Sequence, residues 1–156
     1  MELDFESIKN DIVALFEKTH FAILATADKN GVVCTAQMCL VNDGLTVYMQ
    51  TDSKFQKIQN IKENPNVAIN NGAYNFKGKA TIVGHPNTNK LFIEKLKTKH
   101  LKTYNLYTDL QDEVLIKIDL TEARIWDMYN DKTNIKVITA VDFVTKQVAH
   151  NSCDAL

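Results

Sequence analysis

Three short apolar runs between residues 21 and 51, separated by two tight polar turns, constrain this chain more than any other feature. FAILAT (21–26) leads into Asp28-Lys29-Asn30-Gly31, VVCTAQMCLV (32–41) into Asn42-Asp43-Gly44, and LTVYMQT (45–51) follows. Glycine supplies the positive φ that such turns need, and runs joined this way pair antiparallel. The segment therefore predicts a three-stranded meander. Upstream, Phe5, Ile8, Ile12, Leu15 and Phe16 recur at helical spacing behind Asp4, so a helix capped by Asp4 is expected to about Thr19.

Downstream, Thr51-Asp52-Ser53 forms an N-cap cluster before KFQKIQNIKEN, where Phe55, Ile58 and Ile61 share a stripe that Asn64-Pro65 ends. NVAIN (66–70) and NFKGKATIVG (75–84) read as strands, the second with Phe76, Gly78, Ala80 and Ile82 on one face. His85-Pro86-Asn87-Thr88 opens a helix carrying Leu91, Phe92 and Leu96, and Lys97 to Gln111 reads as irregular. EVLIKIDL (113–120) alternates with Val114, Ile116, Ile118 and Leu120 inward. Thr121-Glu122 is expected to turn into ARIWDMY (123–129), and IKVITAVDF (135–143) to close the fold. Nothing divides the chain, so residues 1–156 are expected to form one domain. Antiparallel strands with inserted helices make the fold class mainly β with flanking helices (α+β). A small closed or nearly closed barrel would remove the exposed sheet edges.

Composition excludes several functions. The chain has 156 residues, 45% hydrophobic and 24% charged, which is enough for a real core. Its 18 basic and 19 acidic residues leave a net charge of -1, so neither nucleic acid nor an anionic membrane is an expected partner. No apolar run approaches a membrane span, and the acidic start MELDFESIKND does not read as a secretory signal. Cys34, Cys39 and Cys153 form no paired framework, which suits reduced thiols in a cytoplasm. Arg124 is the single arginine among the basic residues. An anion site here must be built from lysine and backbone N–H groups.

Motifs that would fix a chemistry are missing: no G-x-G-x-x-G, phosphate-binding P-loop, H-E-x-x-H or G-x-S-x-G occurs. His20, His85, His100 and His150 lack metal-ligand spacing, and no metal is expected. Cys34 and Cys39 fall on opposite faces of one strand. What remains is a place for a flat anion. Val33, Thr35, Gln37 and Cys39 share one face, polar in mid-strand, which suits a ligand or a subunit interface and equally a solvated outer surface. The run ending Met49-Gln50-Thr51 leads into a helix whose N-terminus offers free N–H groups to a phosphate, with Lys54 and Lys57 beside it. Two solvated lysines are the plain alternative.

The ordered set FAILATADKNG, TAQMCLVNDGLTVYMQT, FQKIQNIKENPNVAI and FKGKATIVG resembles the pyridoxamine 5′-phosphate oxidase-like, FMN-binding split β-barrel family, with its stress-protein-like and oxidase members. The likeness runs from about residue 20 to 84, and more weakly over 113–129. It implies a six-stranded antiparallel split β-barrel, a homodimer with FMN at the interface, and a small-molecule substrate. By the same resemblance, Thr35, Gln37, Met38 and Cys39 would line the flavin ring, and Gln50 and Thr51 would touch the ring or ribityl chain. Lys57 would hold the phosphate with Lys54 as helper, and Trp126 in IDLTEARIW would reach the flavin from the partner subunit. A core or interface aromatic is the other reading of Trp126.

Departures narrow the implied activity. Gln37 stands where the family often has arginine beside Met38, and no arginine adjoins Lys57. After Trp126 come Asp127, Met128 and Tyr129, not the arginine- and histidine-rich motif of true pyridoxamine 5′-phosphate oxidases. The implied function is an FMN-dependent oxidoreductase of a small organic substrate, distinct from vitamin B6 oxidation, with no catalytic side chain identified. The alternatives are a non-catalytic flavin carrier or stress sensor, or the same barrel with haem or a deazaflavin. For haem, His85 is the nearest to an axial ligand, although a turn residue before Pro86 is the simpler reading.

Overall fold

The computed structural model describes residues 4–126 and 137–152. Helix α1 (Phe5–Lys18) begins as its sequence requires, the Asp4 carboxylate accepting the Ser7 N–H at 2.7 Å. It buries Ile8, Ile12 and Phe16 completely, each worth about 1.5–3 kcal/mol of apolar transfer. Phe16 meets Phe76 with ring centroids 4.9 Å apart, which docks the helix on the sheet.

The sheet contains nine strands: β1 (Phe21–Ala27), β2 (Val33–Cys39), β3 (Val41–Asp43), β4 (Thr46–Asp52), β5 (Asn66–Asn71), β6 (Tyr74–Ile82), β7 (Glu113–Trp126), β8 (Val137–Asp142) and β9 (Gln147–Ser152). Its main path runs β2-β1-β5-β6-β7-β4-β3, every pairing antiparallel, with β8 and β9 added beside β7. The two ends of that path, β2 and β3, are separated in sequence by Leu40 alone. The sheet must therefore curl until its edges approach. The Leu40 N–H donates to His20 O at 3.1 Å, and its carbonyl pairs with His100 Nε2 at 3.1 Å. The expected class holds: a mainly β, antiparallel split-barrel sheet with flanking helices.

Details differ from the sequence reading. The run 32–41 is not one strand, because it breaks at the buried Leu40, and β4 pairs with β7 instead of completing a meander with β2. The strand count is nine, not six. Residues expected to turn at Thr121-Glu122 continue as one 14-residue strand, β7, with Thr121 bulged between the pairs Lys77↔Glu122 and Gly78↔Leu120. A bulge inserts one residue and moves the inward face by one position. Ile116, Ile118 and Leu120 point into the core before it, and Ala123 and Ile125 after it. The segment read as irregular forms the end of α3 (Lys90–Lys99) and all of α4 (Leu101–Tyr107), and β9 follows the strand expected to close the fold. Residues 127–129, 135, 136 and Cys153 lie outside the described residues.

Two apolar clusters result. The larger fills the curl of the sheet under α1 and α2 (Gln56–Glu63). The smaller joins Val41, Tyr48 and Leu115 to Phe92 and Leu96 of α3, so that part of β7 is buried on both faces. Gly78 sits where backbone must pass closely: a Cβ there would lie 2.8 Å from both Asp119 O and Ile118 Cγ2. Gly78→Ala is expected to destabilise the fold by about 1–3 kcal/mol through overpacking. Urea denaturation measures it, and an unchanged midpoint contradicts the close approach.

Candidate functional site

At one end of the sheet a groove of about 240 Å³ opens between the last residues of β2, the last residues of β4, the start of α2, and α4. Helix α2 is held there by a buried polar network. Asn60 donates to Thr26 Oγ1 at 3.1 Å and to Cys34 Sγ at 3.3 Å, and accepts from Gln56 Nε2 at 2.8 Å. That anchoring fixes Lys57 one turn earlier. Its ammonium donates to Thr51 Oγ1 at 3.2 Å and lies 4.5 Å from the centre of the Phe55 ring. Burial lowers the Lys57 pKa below the usual lysine value, while nearby negative groups, Glu113 and Asp52 among them, pull it back up.

Lys57 is the single cation among the described residues lining the groove, and two carboxyl groups accompany it. Asp52 and Glu113 are cross-strand partners at the ends of β4 and β7. Glu113 is only 7% exposed, and burial, then the charge of Asp52, pushes its pKa up. On the α4 side, Thr108 is fully buried and donates to Gln50 Oε1 at 3.0 Å. Gln50 Nε2 is buried with no acceptor among the described residues. A donor of that kind is costly to leave unmatched. With Lys57 and Thr51 it makes a donor-rich wall, which fits a ligand carrying phosphate and carbonyl acceptors.

Six residues expected to touch a flavin line this groove: Gln37, Met38, Cys39, Gln50, Thr51 and Lys57. The other three do not. Lys54 is drawn outward into a 2.6 Å ion pair with Asp112. Thr35 lies on the outer face of the sheet beside Ile23, Ala25 and Ala68. Trp126, 42% exposed, stands at the far end of β7 from the groove. The helix start also differs from expectation. The Asp52 carboxylate accepts the Lys54 N–H at 2.8 Å, while α2 begins at Gln56 behind Phe55 with no side-chain cap. His85 has both ring nitrogens engaged, Nδ1 by the Asn87 N–H and Nε2 by Leu110 O.

Sequence reasoning did not single out Asp52, Phe55, Thr103, Tyr107 or Glu113 as site residues, yet all line the groove. Thr103 and Tyr107 lie on α4, within the segment that reads as irregular in the sequence. Glu113 looked like the polar start of an alternating strand, and no local signal says that β4 and α4 cover it.

Comparisons with known proteins agree with this architecture. General Stress Protein 26 from Bacillus anthracis str. Sterne superimposes with TM-score 0.61 at 24% identity, over 74% of this chain and 91% of that one. Campylobacter jejuni ChuZ matches with TM-score 0.75 at 14% identity, over 99% of this chain and 66% of that one. HutZ, the heme storage protein from Vibrio cholerae, matches with TM-score 0.60 at 16% identity, over 71% and 88%. No curated protein matches the sequence. The family model described as pyridoxamine 5′-phosphate oxidase matches residues 8–127, most of the chain. On that match, with the curled antiparallel sheet to support it, the chain belongs to the pyridoxamine 5′-phosphate oxidase family.

Proposed function

We propose that this chain is an FMN-binding flavoprotein, an oxidoreductase of a small organic substrate, with its cofactor in a seam between two copies. The observation that carries this reading is the convergence of six expected ligand residues, from three separate segments, on one groove around Lys57. At about 240 Å³ the groove falls below the roughly 300–1,000 Å³ of a complete small-ligand site, as half of a shared pocket would. The outer face of β1 and β2 exposes Phe21, Ile23 and Val33, and Trp126 stands exposed on β7. A second copy would cover such a face.

FMN supplies hydride and electron transfer itself when bound. The chain's part is to bind, orient and exclude water. Lys57 and the Thr51 hydroxyl would hold the phosphate. Gln37, Met38 and Cys39 would line the ring, with the Gln50 amide as a donor to it. Phe55 and Tyr107 would shield the groove mouth. The haem alternative has a relative in HutZ, but both ring nitrogens of His85 already have partners, so that residue gives it no support. A non-catalytic flavin carrier would bind FMN yet show no turnover with nicotinamide nucleotides.

Purified protein is expected to be yellow or to take up added FMN, and colourless protein that binds none would overturn the reading. Lys57→Ala should weaken FMN binding by about tenfold or more, the worth of a charge-assisted hydrogen bond, and leave riboflavin nearly unaffected. Flavin-fluorescence titration measures both ligands, and an equal loss would move the phosphate elsewhere. Flavin affinity should also fall as the protein is diluted below its dimer dissociation constant. A sedimenting monomer that keeps FMN firmly would contradict the shared seam.

A further inference from the structure

We propose that Glu113 belongs to the ligand site as a proton carrier: when a phosphate monoester meets Lys57, Glu113 takes up one proton from solvent and donates it as a hydrogen bond within the groove. The proposal deepens the flavin reading and rests on it for the identity of the ligand, but the proton coupling applies to any phosphate held there.

The geometry is specific. Glu113 opens β7, fixed opposite Asp52 by the strand register and by its own N–H, which donates to Leu110 O at 3.2 Å. More than nine-tenths of the residue is buried, and it lines the groove with Lys57 and Thr51. Desolvation at that position disfavours the charged carboxylate. The groups that act on it come from several elements, Asp52 on β4, His85 after β6 and Lys57 on α2, while Tyr107 of α4 lines the same groove. The adjacent Asp112 is paired with Lys54 at 2.6 Å.

Charge counting then decides the direction. With both carboxyl groups ionised, the lining carries two negative charges against the one positive charge of Lys57, and an incoming phosphate adds more. Ionised Glu113 would repel it within the same groove. Protonated Glu113 removes that repulsion and adds an O–H donor. Of the two acids Glu113 is the one to take the proton, since burial already raises its pKa and the Asp52 charge raises it further. The balance is carboxylate plus one solvent proton giving carboxylic acid, with no redox change. Arginine would make this step unnecessary, and the groove has none.

Two measurements test it. The ¹³C resonance of the Glu113 carboxyl, assigned through the backbone in the intact wild-type protein, is titrated with and without saturating inorganic phosphate. Its midpoint should move to higher pH with phosphate, and an unmoved midpoint overturns the proposal. FMN and riboflavin binding are then followed against pH in wild type and Glu113→Gln. Between the free and bound midpoints wild-type FMN affinity should fall by about tenfold per pH unit. E113Q should lose that part of the slope, keeping only what the FMN phosphate itself contributes, and riboflavin should show no slope in either protein. Identical FMN profiles in the two proteins would also overturn the proposal. If inorganic phosphate moves the carboxyl midpoint but no flavin binds, the flavin reading fails and the proton coupling stands. If FMN binds and the midpoint stays fixed, the reverse holds.

Discussion

Leu40 is the point on which the molecule turns. Strands β2 and β3 occupy opposite ends of the sheet path, yet this residue alone separates them, so the corner at Leu40 forces the sheet to curl. A buried corner exposes two backbone groups to apolar surroundings, and both must be matched. His20 O takes the N–H, and His100, itself buried, takes the carbonyl. Burial lowers the His100 pKa, which keeps the ring neutral in its place between α3 and α4. The same corner carries Gln37, Met38 and Cys39 to the mouth of the groove, beside the end of β4.

Once the sheet is curled, the groove's electrostatics follow from composition. A chain with one arginine must hold an anion with lysine, and a lysine offers a point charge without a bidentate fork. Here the lysine is further committed to Thr51 and faces two acids. In this chain, proton traffic at Glu113 would stand in for fixed guanidinium charge.

Legibility varied with the range of the interaction. The Asp4 cap, the α1 stripe, the β1–β2 turn and the inward face of β6 depend on neighbours within a few residues, and each stands where the sequence puts it. The bulge at Thr121 does not announce itself, because IDLTEARIW alternates correctly on either side and only the pairing with Lys77 and Gly78 shows the extra residue. Helix α4 has no fully buried residue of its own, so it lacks the apolar stripe that marks α1. Lys54 and Lys57 look equivalent in sequence. Asp112, distant in the chain, separates them by pairing with the first.

The amino-acid sequence by itself determined the antiparallel β class, the family, the helical cap at Asp4 and the absence of an arginine clamp, since these rest on local spacing, turn chemistry and residue supply. Tertiary structure alone decided which of two lysines faces the groove, that Glu113 is buried beside it, and that Trp126 stands at the opposite end of β7. Burial and charge at those positions are set by strands and helices far apart in the chain. Only the curl of the sheet brings them together.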